Sequence, residues 1–289
     1  MKKKIISILM LVIMVFSLGA CGNVEDKKDV ANQSEDINND LDVEVEDNSW
    51  EYVKNNGKLI LGLDDSFPPM GFRDDRDNIV GFDIDLAKAV CEKLGVELVL
   101  QPIEWSAKEQ ELATKNIDCI WNGFSVTEER LANLTMSIPY MENTIAMVVV
   151  SGSDIKTKED MAGKRLAVQG GSSAEETLNS PENTEFRESL GGVNGSFKDY
   201  VTALMDLETG NSDAVLMDSV VANYMINEAG KDFVVLDDSL IAEEYAIGFR
   251  KGEEKLAEAV NNALRELKAD GTVEGIATDW FGSDTTIIN

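Results

Sequence analysis

The sequence predicts an α/β fold in two lobes, each a mainly parallel sheet flanked by helices, and three observations carry that reading. Short apolar runs alternate with amphipathic helical patterns, the signature of βαβ units. The alternation comes in two similar blocks, before and after about residue 144. Two strand-like apolar runs, residues 144–150 and 245–250, have the composition to cross from the first lobe to the second and back, which would set the C-terminal helices on the first lobe.

Each element has a local reason. Residues 58–63 read as a strand. Residues 83–94 read as a helix burying Ala87, Val90, Cys91 and Leu94, with Gly95 as its stop. A strand at 96–101, a helix at 106–115 and a strand at 117–121 complete the first block. There Ser125 and Glu128 have the spacing of a capping box, predicting a helix from about Val126. The second block repeats the pattern: a strand at 165–169, a helix after Ser173, a helix at 197–208 stopped by Gly210, a strand at 214–217, a helix after Asp218 and a strand at 233–236. Helices at 253–269 and 273–281 follow. The expected segments are a lipoprotein signal peptide at 1–20, an acidic tether at 21–49, a first lobe made of 50–144 and 245–289, and a second lobe at 145–244.

Lys2, Lys3 and Lys4 precede an apolar run at residues 5–18 that is short for a bilayer span, followed by Leu18-Gly19-Ala20-Cys21. This reads as a secretory signal and not a transmembrane helix. The tetrad resembles the bacterial lipobox, which implies that Cys21 is the lipid-modified first residue of the mature protein. An ordinary signal peptide with an incidental cysteine is the alternative. Residues 22–49 are rich in Asp, Glu and Asn and lack apolar periodicity, as in an extended tether or an acidic interaction tail.

The formal net charge of −28 argues against nucleic acid or an anionic membrane surface as partner. The absence of histidine removes Ser-His-Asp, Cys-His and HExxH chemistry, leaving carboxylate-only or lysine-based reactions open. Neither a cofactor nor a metal is expected. Cys91 and Cys119 read as buried free cysteines, with a disulfide as the alternative in an exported chain.

Four loops at strand ends hold the candidate chemistry. Arg130 lies in the first turn of its predicted helix, where a cation is disfavoured unless an anion lies opposite. With Ser125 and the loop amides around Asn122 and Gly123 it forms a seat for a small carboxylate; pairing with a surface acid such as Glu129 or Asp74 is the alternative. Gly170-Gly171-Ser172-Ser173-Ala174-Glu175-Glu176 offers two capping-box spacings and, without a Walker lysine or a third glycine, suits a carboxylate or amide better than a phosphate. A plain capped turn is its alternative. Asp218 ends a strand where open parallel sheets bind ligands, or is simply a helix cap. Asp64 and Phe67, with Trp105, offer an acid and two aromatic walls. Core packing is the usual fate of such rings. Together Arg130, Asp218, Phe67 and Trp105 complement a free α-amino acid.

Gly81-Phe82-Asp83-Ile84-Asp85-Leu86-Ala87, the strand leading into Ser125-Val126-Thr127-Glu128-Glu129-Arg130, and Ala269-Asp270-Gly271-Thr272 resemble, in that order, the extracytoplasmic polar amino-acid-binding proteins of ABC importers. The resemblance runs from about Lys58 to Phe281. It implies a type II periplasmic-binding-protein-like clamp with two hinge crossings, a ligand in the cleft and delivery to a membrane permease. It also implies that Arg130 holds the ligand carboxylate and Asp218 its amino group, with Ser125, Gly123 and Ser173 adding contacts beside Asn122 and Ser172. Asp64 and Phe67 would face the ligand side chain. Trp121-Asn122-Gly123 departs from the smaller, often Ser-rich sequence of several relatives; a Trp121 facing the cleft would change the pocket, and one turned into the core would not. Asp64, Asp65 and Glu142 lean toward a cationic side chain, with glutamine and cystine as other fits. An enzyme on the same scaffold and a sensory subunit are the rival functions.

Overall fold

A computed structural model describes residues 46–289; the expected signal segment, Cys21 and the tether as far as residue 45 lie outside them. The folded body starts earlier than expected, because Asp47 and Ser49 work as helix caps. Asp47 Oδ2 accepts from the Lys255 amide at 2.6 Å and Ser49 Oγ from the Leu256 amide at 3.0 Å, satisfying two orphan donors of the helix Glu254–Ala269.

Among the described residues, twelve strands form two sheets. β1 (Lys58–Leu63) leads into a small antiparallel sheet of β2 (Ser66–Phe67), β3 (Gly71–Arg73) and β4 (Ile79–Val80). Then come β5 (Glu97–Pro102), β6 (Cys119–Ser125), β7 (Leu134–Met136) and β8 (Met141–Val150). β9 (Arg165–Gln169), β10 (Gly192–Phe197), β11 (Ala214–Asp218) and β12 (Phe233–Arg250) complete the set. The large sheet runs β10-β9-β11-β8-β12-β6-β1-β5, with β7 beside β12. Its two wings, β10-β9-β11 and β6-β1-β5, are parallel throughout. Between them β8 and β12 run antiparallel to each other and to their outer neighbours.

The strand expected at 233–236 and the crossing run at 245–250 are therefore one strand. β12 pairs with β8 from Phe233↔Val150 to Tyr245↔Met141, with two register shifts, and its far end pairs with β6 at Tyr245↔Ser125 and Gly248↔Ile120. Two more boundaries moved. The helix expected from 197 starts at Tyr200, with the Asp199 carboxylate accepting from the Thr202 amide at 2.7 Å. Residues 192–197 form β10, whose mostly exposed Gly-Val-Asn-Gly-Ser-Phe run carries no apolar alternation. The helix expected at 106–115 is a 3₁₀ turn, Trp105–Ala107, followed by a short α-helix, Lys108–Ala113.

The core follows the predicted periodicity except at Leu94, which is only half-buried. The helix Phe82–Leu94 buries Phe82, Ile84, Leu86, Ala87, Val90 and Cys91. The helix Glu254–Ala269 buries Leu256, Ala257, Val260, Ala263, Leu264 and Leu267, an apolar stripe at helical spacing that packs against it. The Phe82 and Phe281 rings lie 5.2 Å apart, and Trp280 Nε1 donates to Asp85 Oδ2 at 3.0 Å, so the last helix, Thr272–Phe281, joins the same layer. Around β8, β9 and β11 a separate cluster gathers Ile145, Met147, Leu166, Val168 and Leu216. Cys91 and Cys119 are both buried and free. Trp121 turns into the core, fully buried and 6.4 Å from the Tyr140 ring.

Replacing Leu264, which has no exposed surface, with alanine is expected to cost roughly 2–5 kcal/mol in urea denaturation. A loss well under 1 kcal/mol would mean that this helix does not carry the core.

Candidate functional site

All seven residues of β6 are buried, and the chain leaves the strand at Ser125 carrying its polar groups inward. The expected capping box at Ser125 does not form. Thr127 is the cap, its Oγ1 accepting from the Arg130 amide at 3.2 Å, and the helix is Glu128–Asn133. Ser125 is thereby free to serve the site. In the next loop Ser172 caps the helix Ser173–Asn179 by accepting from the Glu175 amide at 3.1 Å, while Ser173 is the first helical residue. Of the two capping spacings there, only Ser172 with Glu175 is used.

Arg130 is 3% exposed. Its guanidinium lies 4.2 Å from the centre of the Phe124 ring; Nη1 donates to the Ser125 carbonyl and Nη2 to Glu176 Oε1, each at 2.8 Å. The Nε–H is buried without a partner. The surface-acid alternative for Arg130 is thus replaced by a different arrangement, a buried cation paired with the acid of the facing helix. Asp218, also 3% exposed, is no side-chain cap. Its Oδ1 accepts from Tyr245 Oη at 2.6 Å and Asn143 Nδ2 at 2.7 Å, and its Oδ2 accepts from Tyr200 Oη at 2.8 Å. Burial pushes the Asp218 carboxyl upward, against the pull of the tyrosines, Arg130 and Asn143.

Eight of the ten expected ligand residues line one cavity: Phe67, Trp105, Gly123, Ser125, Arg130, Ser172, Ser173 and Asp218, joined by Gln169. The cavity is small, about 10 Å³, room for roughly one water. Asn122 and Asp64 stand behind this lining. Asn122 Oδ1 accepts from the Asp64 amide at 3.0 Å, and Asp64 Oδ2 accepts from Gln169 Nε2 at 2.8 Å. Burial pushes the Asp64 carboxyl up to about 6. The other two acids in the lean toward a cationic side chain lie elsewhere: Asp65 pairs with Arg73 at 2.6 Å, and Glu142 lines outer grooves. Phe67 lies 5.8 Å from the Tyr200 ring, and Trp105 meets Phe124 edge-on at 5.9 Å.

Gly123 is required by two constraints. Its φ of +57° lies in the left-handed region, and a Cβ there would come within 2.7 Å of the Phe67 ring. Its amide donates to Asp83 Oδ2 at 2.7 Å, and Tyr140 Oη donates to the same oxygen at 2.9 Å. The fully buried Asp83 thus anchors the cavity floor from below.

Four polar ties join the cavity's two sides. Lys108 Nζ donates to the Gly171 carbonyl at 2.7 Å, Gln169 bonds Asp64, Ser125 Oγ lies 3.1 Å from Ser173 Oγ, and Arg130 pairs with Glu176. Sequence reasoning missed Gln169, Lys108, Glu176, Tyr200, Tyr245, Asn143 and Glu243. One signal was available: Glu243 and Tyr245 sit two apart on a strand and so share a face.

Burial pushes the Asp83 carboxyl up to about 7, against the Gly123 amide and the Tyr140 hydroxyl, from an ordinary 3.8. The folded form holds that proton more tightly than the unfolded chain, so this stability is complete below about pH 4 and is lost as pH rises through 7. Calorimetry from pH 4 to 8 should show the melting temperature falling over that window, and Asp83→Asn should flatten the fall by a few kcal/mol. An unchanged slope in the variant would assign the effect to other groups.

The model of the family described as bacterial extracellular solute-binding proteins, family 3, matches residues 59–283. The L-cystine-binding protein TcyJ of Escherichia coli (strain K12) is 32% identical over 237 residues, 81% of this chain and 86% of that protein. An ABC uptake transporter substrate-binding protein from Streptococcus pneumoniae, solved with bound histidine, has a TM-score of 0.79 at 38% identity, over 83% of this chain and 98% of that one. Tv2483 bound to L-arginine has the same TM-score at 29% identity, over 85% and 99%. The chain therefore belongs to the bacterial extracellular solute-binding proteins of family 3, and its fold is the two-lobed α/β clamp of type II periplasmic binding proteins.

Proposed function

We propose that this protein captures a free polar amino acid outside the cell and hands it to the permease of an ABC importer. The observation that carries this reading is the meeting of Arg130 and Asp218, a basic and an acidic side chain each 3% exposed, in the lining of one cavity with the Arg130 Nε–H unpaired. An α-amino acid carries the complementary pair, a carboxylate for the guanidinium and an ammonium for Asp218. Ser125 and Ser173 add hydroxyl donors for the carboxylate, and the Gln169 Oε1, also buried and unpaired, adds an acceptor. Phe67 and Trp105 bound the space for the side chain.

Residues 50–144 with 245–289 make one lobe and residues 145–244 the other, with β8 and β12 as the crossings. The amino acid docks on the Arg130 lobe, and closure brings Ser173 and Asp218 against it. Water leaves, so the charge-assisted bonds strengthen. The cavity as it stands is much smaller than an amino acid, so docking requires the four polar ties to open. Asp64, a buried acid behind the lining bonded to Gln169, favours a cationic or otherwise polar side chain; cystine, the ligand in the name of one relative, also fits this class. Cys21 provides a lipid anchor that holds the protein at the outer face of the cell membrane. The protein binds its ligand and leaves it chemically unchanged.

A thermal-shift screen of the standard amino acids and cystine should single out a ligand, since binding at a hundred times Kd stabilises by about 2.7 kcal/mol. No shift with any of them would sink the reading. Arg130→Ala should weaken the ligand found by roughly thirtyfold to several-thousandfold in titration calorimetry, about 2–5 kcal/mol. Wild-type affinity in that variant would refute the role of Arg130.

A further inference from the structure

The carboxylate of Glu243 already sits where hydroxyl donors converge. Its Oε2 is 2.7 Å from Ser125 Oγ, 3.1 Å from Ser173 Oγ and 3.4 Å from Asn143 Nδ2. Glu243 is 8% exposed and stands on β12 directly opposite Asn143 of β8. It is not part of the inner cavity's lining, yet both serines that it bridges are. On its other side it lines two outer grooves of about 620 and 890 Å³. The side chain thus separates the inner cavity from open space.

We propose that Glu243 is a resident competitor of the ligand: its carboxylate occupies the fork of Ser125 and Ser173 that an incoming amino acid's carboxylate must take, so it sets both affinity and selectivity. This rests on the amino-acid reading above. Each serine hydroxyl has one proton to give, so both cannot serve Glu243 and a ligand carboxylate together. Nor can two carboxylates share the fork without strong repulsion. The backbone at 243 is fixed by strand pairing, but the glutamate side chain can rotate toward the adjoining grooves while the strand stays in place. Burial, and then the nearby Asp218, push the Glu243 carboxyl up to about 7, against the two serines and Arg130.

The experiment is titration calorimetry of L-arginine, L-histidine and L-cystine, with the amides of the first two, against wild type, Glu243→Ala, Glu243→Gln and Arg130→Ala. Removing a charge-assisted competitor should tighten the bound amino acid by about tenfold or more in Glu243→Ala, and less in Glu243→Gln, whose amide oxygen still accepts from one serine. The amides, which do not need the fork, should gain little. Circular dichroism and melting curves check that each variant is folded, and the glutamine variant keeps the side-chain shape should alanine fail. Unchanged or weaker amino-acid binding in both folded Glu243 variants, with Arg130→Ala still damaging, overturns the competitor and leaves the amino-acid reading standing. An equal gain for acids and amides also overturns it. No binding of any probe by wild type or by the Glu243 variants overturns the amino-acid reading and this inference together.

Discussion

A guanidinium buried to 3% exposure cannot stay charged without anionic or carbonyl partners around it, and that requirement organises this molecule. Arg130 meets it with the ring of Phe124 beneath, the Ser125 carbonyl at its side and Glu176 from across the cavity. Phe124 and Ser125 close β6 and Glu176 stands on the helix Ser173–Asn179, so the partners come from two separately formed elements. β6 must end at Ser125, the helix Glu128–Asn133 must start beyond it, and the helix Ser173–Asn179 must face it. The same economy holds on the other side. Asp218 is surrounded by three neutral donors, so hydrogen bonding satisfies its oxygens without an ion pair.

The large sheet explains how two halves can share such a cavity. Helices pack over its parallel wings, and β8 and β12 run between them. Both strands bring functional side chains to the middle of the molecule: Asn143 from one, Glu243 and Tyr245 from the other. The connectors are therefore also part of the site.

Much of this was legible in the sequence because the relevant signals are local. Helical spacing marked the buried stripe of 254–269, and polar residues at strand ends marked Ser125, Arg130, Ser173 and Asp218. The illegible part was relational. Nothing in Gly-Val-Asn-Gly-Ser-Phe announces a strand, since β10 is an exposed edge held by pairing with β9. The partner of Arg130 was sought among acids near it in sequence or at the surface, whereas Glu176 is brought to it by the fold across 46 residues. Glu243 reads as one more acid in a chain crowded with them until β12 is known to be a single strand. Asp65 and Glu142 show the reverse error, acids weighted by sequence position that the fold sends elsewhere.

The two thiols have a bearing on where such a protein can work. Burial pushes Cys91 up to about 12 and Cys119 well above its ordinary range, so neither supplies an appreciable thiolate near neutral pH. Thiolate is the species that attacks disulfides. An oxidising exterior therefore meets little nucleophilic sulfur at either position.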